Sequence, residues 1–308
     1  MAYTSRDDLN YLGVLYEIGA NQTPFLNLIG GLQGGGATIS KSFLFPIAQP
    51  YALTAASQPA ITEADSVTSN TATTVTRGQD LNTVQIFQYT VEVSKAKQST
   101  SGELSGLSAL GVQPVTDEFE FQKMAQFRQM AIDLEYSMIN GSYQAAATSA
   151  TAAKMRGLIN AITTNTTAAA GATLTKALMD GVLAEMATTG APFDNILIMC
   201  NAFQKQKLTD IYGYVPTDRF IGGSNITRIV TDFCTADVVF NPHVATDDVI
   251  IVDLSVCKPV FVPVDGQVLT FEELAKVAAS KKGEWYAQIG LDYGPEEYHG
   301  SITGLATS

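Results

Sequence analysis

The sequence predicts an α+β fold, on three observations. Residues 117–140 carry a long helical pattern. Two period-two strand patterns, at 39–47 and 84–93, flank a polar connection of 36 residues (48–83). From about residue 170 onward, helical and strand patterns alternate, which favours a mixed domain built around one sheet. Only 16% of the 308 residues are charged, against 46% hydrophobic. Average soluble domains carry roughly 25% charge. A chain this size with so few charges hides much of its surface, either in itself or against other subunits.

The first segment, DDLNYLGVLYEIGANQTPFLNLIGG, is moderately apolar and runs into GGLQGGG. Five glycines in seven residues predict a flexible joint. A phosphate cradle would need a Lys-Ser/Thr after the glycines and a strand–helix frame, and neither is evident. Next, Ile39, Phe43, Phe45 and Ile47 occupy alternate positions around Lys41. Phe87, Tyr89, Val91 and Val93 alternate with Gln88, Thr90 and Glu92. The two runs read as the paired legs of a hairpin. Their connection is far longer than loops of compact domains, which rarely exceed about 12–15 residues. It is either a disordered surface loop or an arm whose partner lies on a neighbouring subunit.

After the small-residue patch SKAKQSTSGELSGLSALG comes the helix. Phe121, Met124, Phe127, Ala131, Leu134 and Met138 lie three or four apart. Asp117 is placed to cap, with Glu120 three residues on, Glu118 favourable at the positive end, and Asn140-Gly141 as the stop. About 24 residues make a rod of roughly 36 Å, and its Met/Phe stripe reads as packing surface. Beyond it, Leu174, Leu178, Val182 and Met186 mark a helix ending near Gly190. NILIMC is a buried strand and NAFQKQKLTDIYG a helix, followed by strands in ITRIVTDF, ADVVF, VIIVDL and PVFVPV. Boundaries fall near 30–36, 98–111 and 161–172. The closing stretch, GEWYAQIGLDYGPEEYHGSITGL (283–305), alternates Trp285, Ala287, Ile289, Leu291 and Tyr293 as a half-buried strand, broken at Gly294-Pro295.

That stretch also holds the only tryptophan, one of two histidines, and the acids Asp292, Glu296 and Glu297. Together with His299 they could form an acid–base pair or a metal site. The Gly-Pro break means that the four side chains need not converge, so a solvated turn with a capping role is expected. His243, in Asn-Pro-His, reads as a turn residue. Ser94-x-x-Lys97 matches an acyl-transfer spacing but lacks the companion motifs. Cys200, Cys234 and Cys257 form no C-x-x-C pattern, which argues against a disulfide framework or a zinc site. A net charge of −12 argues against a phosphate-tracking surface. The N-terminus reads as no signal peptide, and no apolar run approaches the ~18 residues of a membrane span. The N-x-[ST] triplets at Asn21, Asn140, Asn165 and Asn225 are expected to carry no glycans. No catalytic residue, metal or cofactor is predicted.

Several stretches resemble one branch of a known family. They are TPFLNLIGG, STSGELSGL, the helix ending in YSMING, KMRGLINAI, YGYVPTDRFIGGSNITRIVTDF, DLSVCKPVFVPV and, most specific, IGLDYGPEEYHGSITGL. The chain is similar to the major capsid proteins of tailed bacteriophages, which share the Hong-Kong-97-like shell fold. The resemblance implies an N-terminal arm (1–37), an extended β-hairpin loop (38–100) and a peripheral domain (101–169 and 265–308) with a spine helix (117–140). It also implies an axial α/β domain (170–264), with the C-terminal strand returning to the peripheral domain. The implied function is self-assembly, as pentamers and hexamers of many copies of the chain, into an icosahedral head shell around packaged double-stranded DNA. Assembly would take place in the host cytoplasm, and DNA contacts would be non-specific. Portal, scaffolding and decoration proteins are the other implied partners. The chain starts almost directly at the implied arm, so no fused scaffold segment is expected. No lysine–asparagine crosslinking pair can be identified. Among charges in and around the loop, Glu63, Asp65, Arg77, Asp80 and Glu103 are expected to make inter-subunit contacts. Two alternatives are a bacterial nanocompartment shell and an α/β enzyme using the 292–299 cluster.

Overall fold

In the computed structural model the described residues are 22–31, 38–68, 72–100, 117–212, 219–221, 224–276 and 278–307. The elements are, in order, α1 (Pro24–Leu28), β1 (Thr38–Ile39), β2 (Leu44–Ala48), α2 (Glu63–Ser66), β3 (Asp80–Thr83), β4 (Gln85–Ser94), α3 (Lys95–Thr100) and α4 (Glu118–Asn140). There follow α5 (Leu158–Ala161), β5 (Thr166–Ala168), α6 (Lys176–Thr189), β6 (Ile196–Cys200), α7 (Ala202–Tyr212), β7 (Arg219–Ile221), β8 (Ser224–Val230) and β9 (Thr235–Phe240). The chain closes with β10 (Val249–Asp253), β11 (Lys258–Phe261), β12 (Leu269–Glu273), β13 (Ser280–Asp292), a single 3₁₀ turn (Glu296–Tyr298) and β14 (Gly300–Thr303).

The α+β class holds, but the strands form two large sheets and a small ribbon where one sheet was expected. The seven-stranded sheet runs β5-β14-β10-β6-β9-β8-β7. Every residue of β6 and β10 is buried, the pattern of strands covered on both faces. The alternation within them assigns each face. Leu197, Met199, Ile250 and Val252 pack with Leu134 and Met138 of α4. Ile196, Ile198, Val249 and Ile251 pack instead with Met179, Val182, Leu183 and Met186 of α6. One sheet therefore separates two cores. The stop of α6 is as predicted: Gly190, at φ 92, takes the left-handed cap that only glycine adopts without strain.

The five-stranded sheet has β13 at its centre. β4 pairs along one edge over ten residues, while β12 and β11 share the other. This corrects the hairpin expectation: 84–93 alternates as predicted, but its partner is β13. The leg at 39–47 splits instead. β1 pairs parallel to β11, which leaves Ile39 exposed, and β2 pairs with β3, with a shift between Pro46 and Ala48. Only Phe45 of the predicted apolar face is fully buried. Sequence alternation fixed a face for each leg but carried no information about which strand would sit beside it.

Helix α4 begins as predicted, with the Asp117 carboxylate accepting from the Phe119 and Glu120 amides. Its predicted stripe is correct only in the second half. Leu134 and Met138 are buried, whereas Phe121 is 43% and Met124 50% exposed, and Phe119 and Met130 occupy the core face instead. At its end the backbone of Gly141 meets that of Gly157, which donates its N–H to the Gly141 carbonyl at 2.8 Å. A Cβ on Gly157 would lie 2.5 Å from the Gly141 nitrogen, so only glycine fits there.

Candidate assembly surface

The closing stretch comes apart as a reaction centre. Trp285 is a packing residue: its ring lies 4.9 Å from Phe271 and 5.2 Å from Phe127, and its Nε1 donates to the Lys123 carbonyl at 2.9 Å. Asp292 accepts from the Gly294 amide at 3.0 Å, and burial raises its pKa. Glu296 reaches across to residues 163–164, accepting from the Thr163 and Thr164 amides at 2.7 and 3.1 Å and from both hydroxyls. Burial alone would push its pKa up, but these four donors prevail and hold it below the usual glutamate value. At Glu297 it is the carbonyl that is engaged, by Asn165 and Thr189.

His299 is fully buried, and both ring nitrogens are used. The Asp253 amide donates to Nδ1 at 3.2 Å, so the proton sits on Nε2, which donates to the Tyr293 carbonyl at 2.5 Å. Desolvation lowers its pKa and keeps it neutral. The Asp292 and Glu296 carboxylates and the imidazole thus serve different segments, and among the described residues no three His, Cys, Asp or Glu side chains are grouped to hold a metal. The other candidates also have local roles. The Ser94 hydroxyl accepts from the Lys97 amide, and Lys97 pairs with Glu118 at 3.0 Å. His243 lies in the turn after β9, as expected, and the three cysteines are free.

The connection between β2 and β3 is the opposite case. Every described residue from Tyr51 to Gln79 is exposed, including Leu53 at 72% and Val67 at 84%, with Tyr51, Ile61 and Val75 besides. Its internal order is local. Helix α2 is closed by a capping box in which Asp65 accepts from the Thr62 amide and hydroxyl, at 3.2 and 2.6 Å. A hydrogen bond from the Thr62 hydroxyl lowers the Asp65 pKa. A single bridge joins Tyr51 to Arg77 across the stem. Glu63 and Arg77 are exposed, and Asp80 opens β3 opposite Ala48. The structure does not gather these four into one cluster, and Glu103 lies outside the described residues.

The root of the arm is pinned by a residue that sequence reasoning missed. Asn82 is buried, donates to the Leu291 and Arg156 carbonyls at 2.8 and 3.2 Å, and accepts from the Arg156 amide at 2.8 Å. One side chain thereby fastens β3 to β13 and to the segment after α4. Nothing at the end of a polar stretch marks an asparagine as buried. Beside this root, Ile86, Tyr89, Asp133, Tyr136 and Ser137 line a groove of about 440 Å³ between β4 and α4.

A long helix laid on a β13-centred sheet, a two-core second sheet and an exposed arm make up the shell fold of phage capsids. In a search of solved structures, the chain aligns with the cyanophage A-1(L) capsid asymmetric unit over 98% of its length and 96% of that chain, at 14% identity and a TM-score of 0.65. A structure from Mycobacterium phage Che8 aligns over 96% of both chains, at 16% identity and a TM-score of 0.58. The SrpI encapsulin of Synechococcus elongatus PCC 7942, in its holo complex, aligns over 100% of this chain and 98% of its own, at 10% identity and a TM-score of 0.61. Identities this low establish the fold alone. No curated protein matches the chain in sequence at a significant level. The family described as SU10 major capsid protein matches residues 2–306, and the chain belongs to that family. It is a major capsid protein, a structural component of the virion that forms the icosahedral head shell of a tailed phage.

Proposed function

We propose that the shell encloses a double-stranded DNA genome and that the arm at 49–79 is its principal inter-subunit device. The observation that supports this is an apolar-bearing segment with no core of its own, exposed at every described residue from Tyr51 to Gln79. Exposed leucine, isoleucine and valine side chains on one segment are a liability in a monomer and an asset where a neighbour covers them. Repetition of one such contact between curved subunits closes a shell of pentamers and hexamers.

In this reading residues 1–37 form an N-terminal arm, 38–100 the extended loop, 101–169 with 265–308 a peripheral domain around α4, and 170–264 an axial domain. Strands β5, β11 and β14 cross this division, since β11 lies in the five-stranded sheet and β5 and β14 in the seven-stranded one. Glu63, Arg77, Asp80 and Glu103 are proposed to contact neighbouring copies, with Asp65 shaping α2 for the same purpose. Portal, scaffolding and decoration proteins are the further partners. DNA is held only non-specifically, because a net charge of −12 disfavours tight phosphate contacts.

The test is deletion of most of 50–80. The expected product is a folded subunit, by circular dichroism and thermal melting, that gives no closed particles by electron microscopy. Normal shells from the deletion would make the arm dispensable. Native particles that carry no DNA would overturn the genome part of the proposal.

A further inference from the structure

One fully buried ionisable group has no part in the assembly surface. Glu135, on the inward face of α4, is surrounded by donors. The Phe25 amide donates to its Oε1 at 2.9 Å, the Leu26 amide to its Oε2 at 2.7 Å, and the Asn241 side-chain amide to its Oε1 at 2.6 Å. These donors come from two places, the N-terminal segment, which carries α1, and the turn after β9, both meeting on the helix that backs the five-stranded sheet. Asn241 is itself locked, because its Oδ1 accepts from the His243 amide at 2.9 Å, so its NH₂ must face the carboxylate. No side-chain hydrogen bond from Thr23 caps the start of α1, and Phe25, Leu26 and Ile29 are buried in the core that contains Leu134 and Met138.

We propose that Glu135 is the positioning residue for the N-terminal segment, a three-way fastening that seats residues 24–28 on α4 and ties both to the seven-stranded sheet through Asn241. A site built from three donors demands a group that only accepts, which an ionised carboxylate supplies and an amide does not. A leucine or methionine would fill the volume but orphan all three donors. The fastening is a property of the single chain and does not depend on the shell reading.

Amide hydrogen exchange of the full chain at pH 8 tests it. In Glu135→Gln the introduced NH₂ faces another donor whichever way it turns. The exchange protection of Phe25 and Leu26 should fall at least tenfold, while the amides of β6 and β10 stay within twofold of wild type. Unchanged protection at Phe25 and Leu26, or an equal loss at β6 and β10, would overturn the proposal, the second because it reports general destabilisation. Asn241→Ala removes one donor and should produce a smaller loss confined to the same two amides. Should Glu135→Gln fail to fold, Asn241→Ala decides, and wild-type protection of Phe25 and Leu26 in that variant would sink the idea.

Discussion

The arm at 49–79 and the strand pair β6–β10 both carry aliphatic side chains, yet they solve opposite problems. Every residue of β6 and β10 is buried, and alternate side chains feed two separate cores. From Tyr51 to Gln79 every described residue is exposed, aliphatic ones included. The sheet is complete in one subunit, and the arm carries apolar surface that one subunit leaves open. The lesson is that apolar content alone does not say where burial happens. Leu53 and Ile251 are both aliphatic residues, but only Ile251 has its partners within the chain.

Substitutions can break this contrast. Ile251→Ala, in the α6-facing core, should lower subunit stability by about 2–5 kcal/mol, read as the urea midpoint. A loss below 1 kcal/mol would mean that this core is looser than its burial indicates. His299 extends the test to pH. Its pKa is lower in the folded chain than in the unfolded one, so its contribution is complete above about pH 6.5 and is lost as the pH falls. Wild type should therefore lose more stability than His299→Gln between pH 7 and pH 5. The difference between the two proteins is the quantity to compare. The raised pKa of the buried Glu135 is common to both proteins and cancels from that difference. Parallel curves for the two proteins would remove His299 as a titrating group. Glu296→Ala frees the 163–164 turn, which water can reach, and should cost about 1 kcal/mol, seen as a small downward shift of the same midpoint. The smallest effect sharpens the comparison most. Leu53→Ala should change subunit stability by less than about 0.5 kcal/mol while reducing particle yield on a sizing column. A large loss of subunit stability would show that the arm packs on its own chain.

Much of this was legible from residue types. The caps of α4 and α6, the buried run at 196–200 and the strand at 280–292 follow from local periodicity and from Asp117, Gly141 and Gly190, whose effects are local. The break at Gly294-Pro295 dispersed the acids and His299 as expected, but the turn is not the solvated one expected, since His299 is fully buried under its neighbours. Partner choice was not legible: β4 pairs with a strand some 200 residues away, and its alternation fits any neighbour equally well. The rotation of the first half of α4, which puts Phe121 and Met124 outside, depends on what covers the helix and not on its own spacing. Asn82, Glu135 and Asn241 look like surface residues by type. Only the donors and acceptors that other segments bring to them make them interior.

The pairing of β4 with β13 carries a mechanical consequence. Ten consecutive residue pairs join the strand that continues from the arm to the central strand of the five-stranded sheet. Their hydrogen bonds lie across the strand axis, so a pull along β4 loads them side by side and they must yield together. A pull on the arm would reach the subunit in shear, the direction in which a sheet resists most, with Asn82 as the rivet at the point where the load enters.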